Sequence, residues 1–255
     1  MRSMGVKELV MAVLIVLMVS CGAFATGVAV SYGNFEVNGA NVSLSSLEVK
    51  GTLTINEGQM NVDENLSAPE VDVFANGGSA RGHLDAKNIV SDTLHVDRGI
   101  VKANNITSGT IYNEGDGKIT AANTIVNSMK VDTGSVFYGG KVQTNQATVE
   151  SGAVMNVDSF SSKDLSMCCG AIIRNKADAN VGNMTACCGA GVYGMNVTAN
   201  NVDLSAGAFI STTNEIQANR INNIDGGKLV AKRIDTDNGI TTHEISIQNG
   251  KIVAV

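Results

Sequence analysis

The chain has 255 residues and a formal net charge of −6, and its 18 basic residues are scattered, so it carries no electrostatic footprint for nucleic acid. It contains 28 glycines, one proline, no tryptophan and 4% aromatic residues, while Val, Ile, Leu and Met recur without a long polar gap. That mixture excludes a disordered chain and points to many short strands joined by tight turns.

Residues 1–25 open with Arg2 and Lys7, continue through an apolar run from Leu9 to Val19, and close on Ala23-Phe24-Ala25. This order predicts a secretory signal peptide cut after Ala25 and a secreted or cell-surface protein. The cut removes Arg2, Lys7 and Glu8 and takes the charge to −7. Met18-Val19-Ser20-Cys21 approximates a bacterial lipid-attachment box, which keeps a lipoprotein anchored at Cys21 as an alternative. No later stretch is apolar enough for a transmembrane span of about twenty residues. Residues 26–38 read as a lead-in or cap, and residues 39–255 as a repeating body.

The repeat is anchored on glycines: Gly39, Gly58, Gly78, Gly99, Gly117, Gly134, Gly152, Gly170, Gly189, Gly207, Gly227 and Gly250, most of them 17 to 21 residues apart. Five and three residues before the anchors stand apolar pairs such as Leu53 with Ile55, Leu94 with Val96, and Met129 with Val131. Such pairs share one side of a strand. Two residues after the anchors come Met60, Val101, Ile119, Val136, Val154, Ile172, Phe209 and Leu229, read as a further inward position, with Phe209 in the core. Between these units lie Val62, Ile89, Ile106, Ile125, Val142, Val181 and Val197, often beside asparagine, as in "KNIV", "NNIT" and "NTIV". No 3.6-residue stripe persists after residue 25. The expectation is an all-β chain: one parallel β-helix of about 11–12 coils, 17–21 residues each, with Asn and Gly at corners that need φ > 0 and Asn side chains stacked along the rod.

In rung pattern, Asn-rich corners and leader, residues 35–255 resemble the secreted right-handed parallel β-helix proteins, including the passenger regions of bacterial autotransporter adhesins. The resemblance implies a surface rod. No membrane-barrel sequence follows the closing "GKIVAV", so a self-secreted autotransporter is not expected.

Asp97, Asp132, Glu150 and Asp225 fall one or two residues before an anchor glycine, where acidic residues at solvent-facing turns need no catalytic role. His83, His95 and His243 lie far apart, and the rung register does not converge them; His95 and Asp97 share a strand face. "GDGK" at Gly115–Lys118 precedes no helix and reads as a corner, not a phosphate loop. No catalytic residue, cofactor or metal site is expected. Asn41, Asn65, Asn105, Asn183 and Asn196 begin Asn-x-Ser/Thr triplets, which asparagine abundance explains unless the source glycosylates them.

"SMCCGA" and "TACCGA" place Cys168-Cys169 and Cys187-Cys188 at the same two corner positions of adjacent coils. Stacked coils bring equivalent Cα atoms to about 4.8 Å, inside the disulfide range of about 4.4–6.8 Å. Two staples are expected, Cys168 to Cys187 and Cys169 to Cys188, with reduced thiols, a four-thiolate metal site, and vicinal or intermolecular bonds as alternatives. The last coil, "EISIQNGKIVAV", offers Ile245, Ile247, Ile252, Val253 and Val255 as an apolar end for a homo-oligomer or filament. The function expected is a non-enzymatic secreted or cell-surface structural solenoid, adhesin-like or filament-forming, with a cell-surface or glycan partner. The alternative is a carbohydrate-active β-helix of the polysaccharide lyase or hydrolase kind.

Overall fold

The structure, a computed structural model, describes the backbone of residues 25–75 and 80–254 and the side chains of 28–75, 80–223 and 225–240. It is a parallel β-solenoid of about eleven turns with no helix among the described residues. The strands are β1 (Ala25–Ser31), β2 (Phe35–Asn38), β3 (Asn41–Val49), β4 (Thr52–Asn56), β5 (Gln59–Phe74), β6 (His83–Asp97), β7 (Ile100–Glu114) and β8 (Lys118–Val131). Then come β9 (Val136–Val149), β10 (Val154–Met167), β11 (Ile172–Asn175), β12 (Asp178–Ala186), β13 (Gly191–Leu204), β14 (Phe209–Thr236) and β15 (Ile240–Ala254). Each lies parallel on the strand about one coil earlier, in one continuous sheet from β1 to β15. Residues 25–38 already pair this way, β1 on β3 and β2 on β4.

A coil is three straight runs of four residues. Between β8 and β9 the paired runs are Lys118–Ala121, Asn123–Val126 and Ser128–Val131, with Ala122 and Asn127 left unpaired at single-residue corners. We call these runs faces A, B and C. A four-residue turn, Asp132–Ser135, then leads to the next face A. Two residues of each run point inward: Ile119 and Ala121, Thr124 and Val126, Met129 and Val131 are all buried. The core is therefore a column of stacked aliphatic side chains, and each coil is covered by its neighbours above and below. The offset from coil to coil is mostly 17 to 19 residues, rising to 24 between Gln59 and His83 and falling to 16 between Lys228 and Glu244.

Two details depart from the sequence reading. In the later coils the inward residue stands three, not two, places after the glycine: Phe137, Met155, Ile173, Val192 and Ile210 are buried, while Val136, Val154, Ile172 and Phe209 are half-buried on the outside. Phe209 thus lies across Gly191 on the outer surface and not in the core. On face B, Thr124 is inside and Ile125 is 56% exposed. A one-residue slip exchanges the two sides of a strand, and both slips have a local cause.

The first cause is the corner, described below. The second is an asparagine ladder. Asn88 donates its amide to Asn65 at 2.9 Å, Asn105 to Asn88 at 2.7 Å and Asn123 to Asn105 at 3.0 Å. These four open face B in consecutive coils, so whatever follows asparagine must point inward: Leu66, Ile89 and Ile106, but also Thr124. Shorter ladders run from Asn201 through Asn183 to Asp164 and from Asn214 through Asn196 to Asp178. The stacking expected of the asparagines is thus present, and Asn65, Asn105, Asn183 and Asn196 of the Asn-x-Ser/Thr triplets belong to it.

Candidate functional site

The corner between faces C and A concentrates the unusual backbone of the molecule. Glu57, Arg98, Asp116, Thr133, Ser151, Cys169, Cys188, Ala206 and Asp225 all have φ between 49° and 65°. From Glu114 to Ala208 the corner is a four-residue turn with both central residues left-handed, closed by a hydrogen bond from the fourth residue to the first: Gly117 to Glu114, Ser135 to Asp132, Ala153 to Glu150, Ala171 to Cys168, Ala190 to Cys187, Ala208 to Ser205, at 2.9–3.1 Å. These are type I′ turns, in which two positive φ values reverse the chain tightly. The fourth residue is tucked fully inside. At Asn56-Glu57-Gly58 and Asp97-Arg98-Gly99 the corner is one residue shorter, and glycine itself fills the inner position.

Cys168 and Cys187 are the first residues of two such turns, half-buried; Cys169 and Cys188 are the second residues, exposed. The pairing of Met167 with Ala186 places Cys168 beneath Cys187 and Cys169 beneath Cys188. The register expected of the cysteines is therefore present, and the four thiols are unbonded. Cys168 Sγ donates to Glu150 Oε2 at 3.6 Å. Its hydrogen bond with Cys169, burial and the Glu150 carboxylate push its pKa up to about 12. Cys187 is likewise raised, first by its hydrogen bond with Cys188 and then by burial.

Below the thiols, Lys130 Nζ bridges Asp132 at 2.9 Å and Glu150 at 3.0 Å. Burial works against the charged form of Asp132, but hydrogen bonds from Lys130, Ser151 and the Thr133 amide hold its pKa down to about 2. A general acid for glycoside cleavage needs the opposite shift. Asp97 is paired with Arg98 at 3.3 Å, and Asp225 lies at the corner many coils away. His95 sits between Asp72 at 3.8 Å and Glu114 at 2.9 Å, with Tyr112 edge-on at 6.1 Å. His83 is on face A, apart from His95, with its pKa lowered by burial and by Lys102. The side chain of His243 lies outside the described residues. Among those residues no three His, Cys, Asp or Glu side chains form a metal-holding group.

The register assembles one feature that linear reading missed. On the outer side of face A, Tyr138, Asn156, Arg174 and Tyr193 stand in one column on consecutive coils. Tyr138 and Tyr193 are 41% and 43% exposed. Lys118 packs over the Tyr138 ring at 5.0 Å, and Phe209 meets Tyr193 edge-on at 5.0 Å, so both rings are held in place. Residues 138, 174 and 193 look unrelated in the sequence, and only coil lengths of 18 and 19 residues align them.

The apolar end expected at Ile245, Ile247, Ile252 and Val253 falls on side chains outside the described residues, and Val255 is outside them altogether; the backbone of β15 pairs with β14. The leader, with Cys21 and the cut after Ala25, also lies outside them except for the backbone of Ala25. No described helix is long and apolar enough to cross a membrane. Comparison of the chain with protein-family models, with curated proteins and with solved structures gives no match.

Proposed function

We propose that the chain is a non-enzymatic structural rod of the cell surface or secreted space, adhesin-like in use. The observation that carries this reading is the continuity of one ladder from β1 to β15, which makes a rod roughly 50 Å long at about 4.8 Å per coil. Buttressing recurs as well: aliphatic core and corner turns follow one another along the rod, and asparagine ladders tie successive coils over parts of it, which suits an extended spacer.

The aromatic column supports a carbohydrate as the adhesive partner. Tyrosine faces stack on the C–H faces of sugars, and Asn156 and Arg174 between them offer hydrogen bonds to hydroxyl or acidic groups. Three coils separate Tyr138 from Tyr193, roughly 14 Å, a span suited to a short oligosaccharide lying along the rod.

The test is to present neutral and acidic polysaccharides to the purified chain and to follow both retention and polymer length. Retention without shortening is expected, weakened about tenfold or more when Tyr138→Ala and Tyr193→Ala are combined. Shortened polymer would favour the carbohydrate-active alternative, and retention indifferent to both tyrosines would remove face A from the reading.

A further inference from the structure

We propose that the four-thiol corner is a reversible disulfide clamp across the interrupted coil that lies between its two turns. The coil between the two Cys-Cys turns, residues 172–190, is the only one among the coils from β6 to β13 whose face A and face B form separate strands, β11 and β12. Its A-to-B corner holds two residues, Lys176 and Ala177, where the preceding coil has Asp158 alone. Asn175 points into the core at the end of β11, 6% exposed, with neither amide atom hydrogen-bonded. A buried amide without partners is destabilising where it stands. The cysteine turns bracket this coil, one at each end of it.

Geometry selects the partners. The two turns have the same backbone, with φ 57° and 75° at Cys169 and Gly170 and 54° and 73° at Cys188 and Gly189, so equivalent side chains leave the corner in the same direction. Cys168 therefore faces Cys187, and Cys169 faces Cys188. A ring within one Cys-Cys dipeptide would have to distort a turn whose closing hydrogen bond, 3.1 Å in one copy and 3.0 Å in the other, is formed. Parallel side chains on stacked strands keep Cβ atoms near about 4.8 Å, slightly beyond the usual 3.5–4.5 Å of a disulfide. Closing the bond pulls the coils together at the corner, and a bond formed under such tension is readily reduced.

The chemistry is thiol–disulfide exchange with a small-molecule or protein disulfide. A thiolate of the outer pair attacks the oxidant and expels one thiolate; its partner then attacks the mixed disulfide and expels the second. Two thiols of the corner lose two protons and two electrons, and one oxidant disulfide becomes two thiols. Cys169 and Cys188, exposed, meet the oxidant first. Cys168 and Cys187, half-buried and tied to Glu150 and to their neighbours, follow.

The full chain in a buffer of reduced and oxidised glutathione supplies the test, with alkylation of free thiols and peptide mapping over time. Cys169–Cys188 is expected first and Cys168–Cys187 at least tenfold more slowly. The pair Cys168→Ser with Cys187→Ser should leave the fast bond intact, and Cys169→Ser with Cys188→Ser should leave only the slow one. Amide exchange in residues 172–190 should slow about tenfold on oxidation and return when the glutathione is reduced. Four free thiols at equilibrium in oxidised glutathione, vicinal rings, or intermolecular bonds alone would overturn the proposal. So would inter-coil bonds that leave exchange in residues 172–190 unchanged, or one zinc ion per chain protecting all four thiols from alkylation.

Discussion

The corners before and after Glu114 close the same coil with different numbers of residues, and the difference decides which amino acid each can hold. At Gly58 and Gly99 the corner is short and pulls the backbone so close to the coil below that a Cβ on Gly99 would stand 2.4 Å from the Val73 carbonyl oxygen. From Ser135 onward one more residue lets the inner position move back, and serine or alanine fits there: Ser135, Ala153, Ala171, Ala190 and Ala208, all fully buried. Glycine then shifts one place earlier, to the left-handed site, where φ is 72–77°; a Cβ would meet nothing within 4 Å at Gly152, Gly170, Gly189 and Gly207, and at Gly134 only the Asp116 side chain. One column of glycines thus answers two needs, steric approach in the first half of the rod and backbone conformation in the second.

Gly117 and Gly227 show the exchange in its intermediate form. Both lie at the inner position of long corners: at Gly227 the inward Asn223 alone takes the space a Cβ would need, while at Gly117 Asn113 Oδ1 at 2.5 Å does so together with the Val96 carbonyl oxygen at 2.6 Å. Asn113 Nδ2 donates to the Val136 carbonyl at 3.2 Å, and Asn223 Nδ2 to the Gly227 carbonyl at 2.8 Å. Asparagine inside and glycine at the corner are therefore one solution, and alanine at the corner with an aliphatic residue inside, as at Leu204 and Ala208, is the other.

The sharpest way to break this comparison is to put alanine into each kind of glycine site. Gly99→Ala drives a methyl group into backbone atoms that cannot yield, and a loss of about 3 kcal/mol or more is expected from the shift in denaturant midpoint. Gly152→Ala, with open space and φ +74°, meets only the left-handed penalty of about 1–2 kcal/mol. Equal losses at the two sites would show that the corner length does not set the role of glycine.

The long corners also carry the stronger ion pair, which pH separates from packing. Asp132 is depressed to about 2 from its usual 3.8, so its contribution is complete above about pH 4 and is lost as pH falls toward 2. A loss of about 2 kcal/mol across that window is expected in unfolding titrations, and Asp132→Asn should abolish that part of the pH dependence. The Asp97–Arg98 pair of the short corner is more exposed, 33% and 47%, and breaking it with Asp97→Asn should lower stability by under about 1 kcal/mol in denaturant unfolding.

What the sequence made legible follows the same division. Period, strand content, asparagine stacking and the vertical match of the cysteine pairs all follow from features that recur at one-coil spacing, and repetition survives an error of one residue. The side on which Phe209 and Ile125 lie does not. The distance of Phe209 from its glycine misleads because that glycine changes role after Glu114, and the apolar pattern at Ile125 is overridden by the Asn123 ladder. Gly78 as an anchor meets the same limit: the inner position of that coil belongs to Gly82, whose amide donates to the Phe74 carbonyl, and residues 76–79 lie outside the described residues. The aromatic column was illegible for another reason, since aligning Tyr138 with Tyr193 requires every intervening coil length to be right at once.

The smallest expected effect tests why Thr124 is inside at all. It is 1% exposed between Ile106 and Val142, and its hydroxyl has no hydrogen-bond partner. By contrast, Thr144 at the far end of face B donates to the Gln146 carbonyl at 2.8 Å, and Ser162 to the Asp164 carbonyl at 2.6 Å. If the asparagine ladder holds Thr124 in place against its own chemistry, Thr124→Val should raise stability by about 1 kcal/mol, because it replaces an unsatisfied hydroxyl with a methyl group of nearly the same shape. Thr144→Val should lower stability by a similar amount, since it strips a hydrogen bond from a carbonyl at the corner. A loss at both positions, measured by thermal or denaturant unfolding, would mean that Thr124 has a polar partner and that the ladder is not what sets the register of face B.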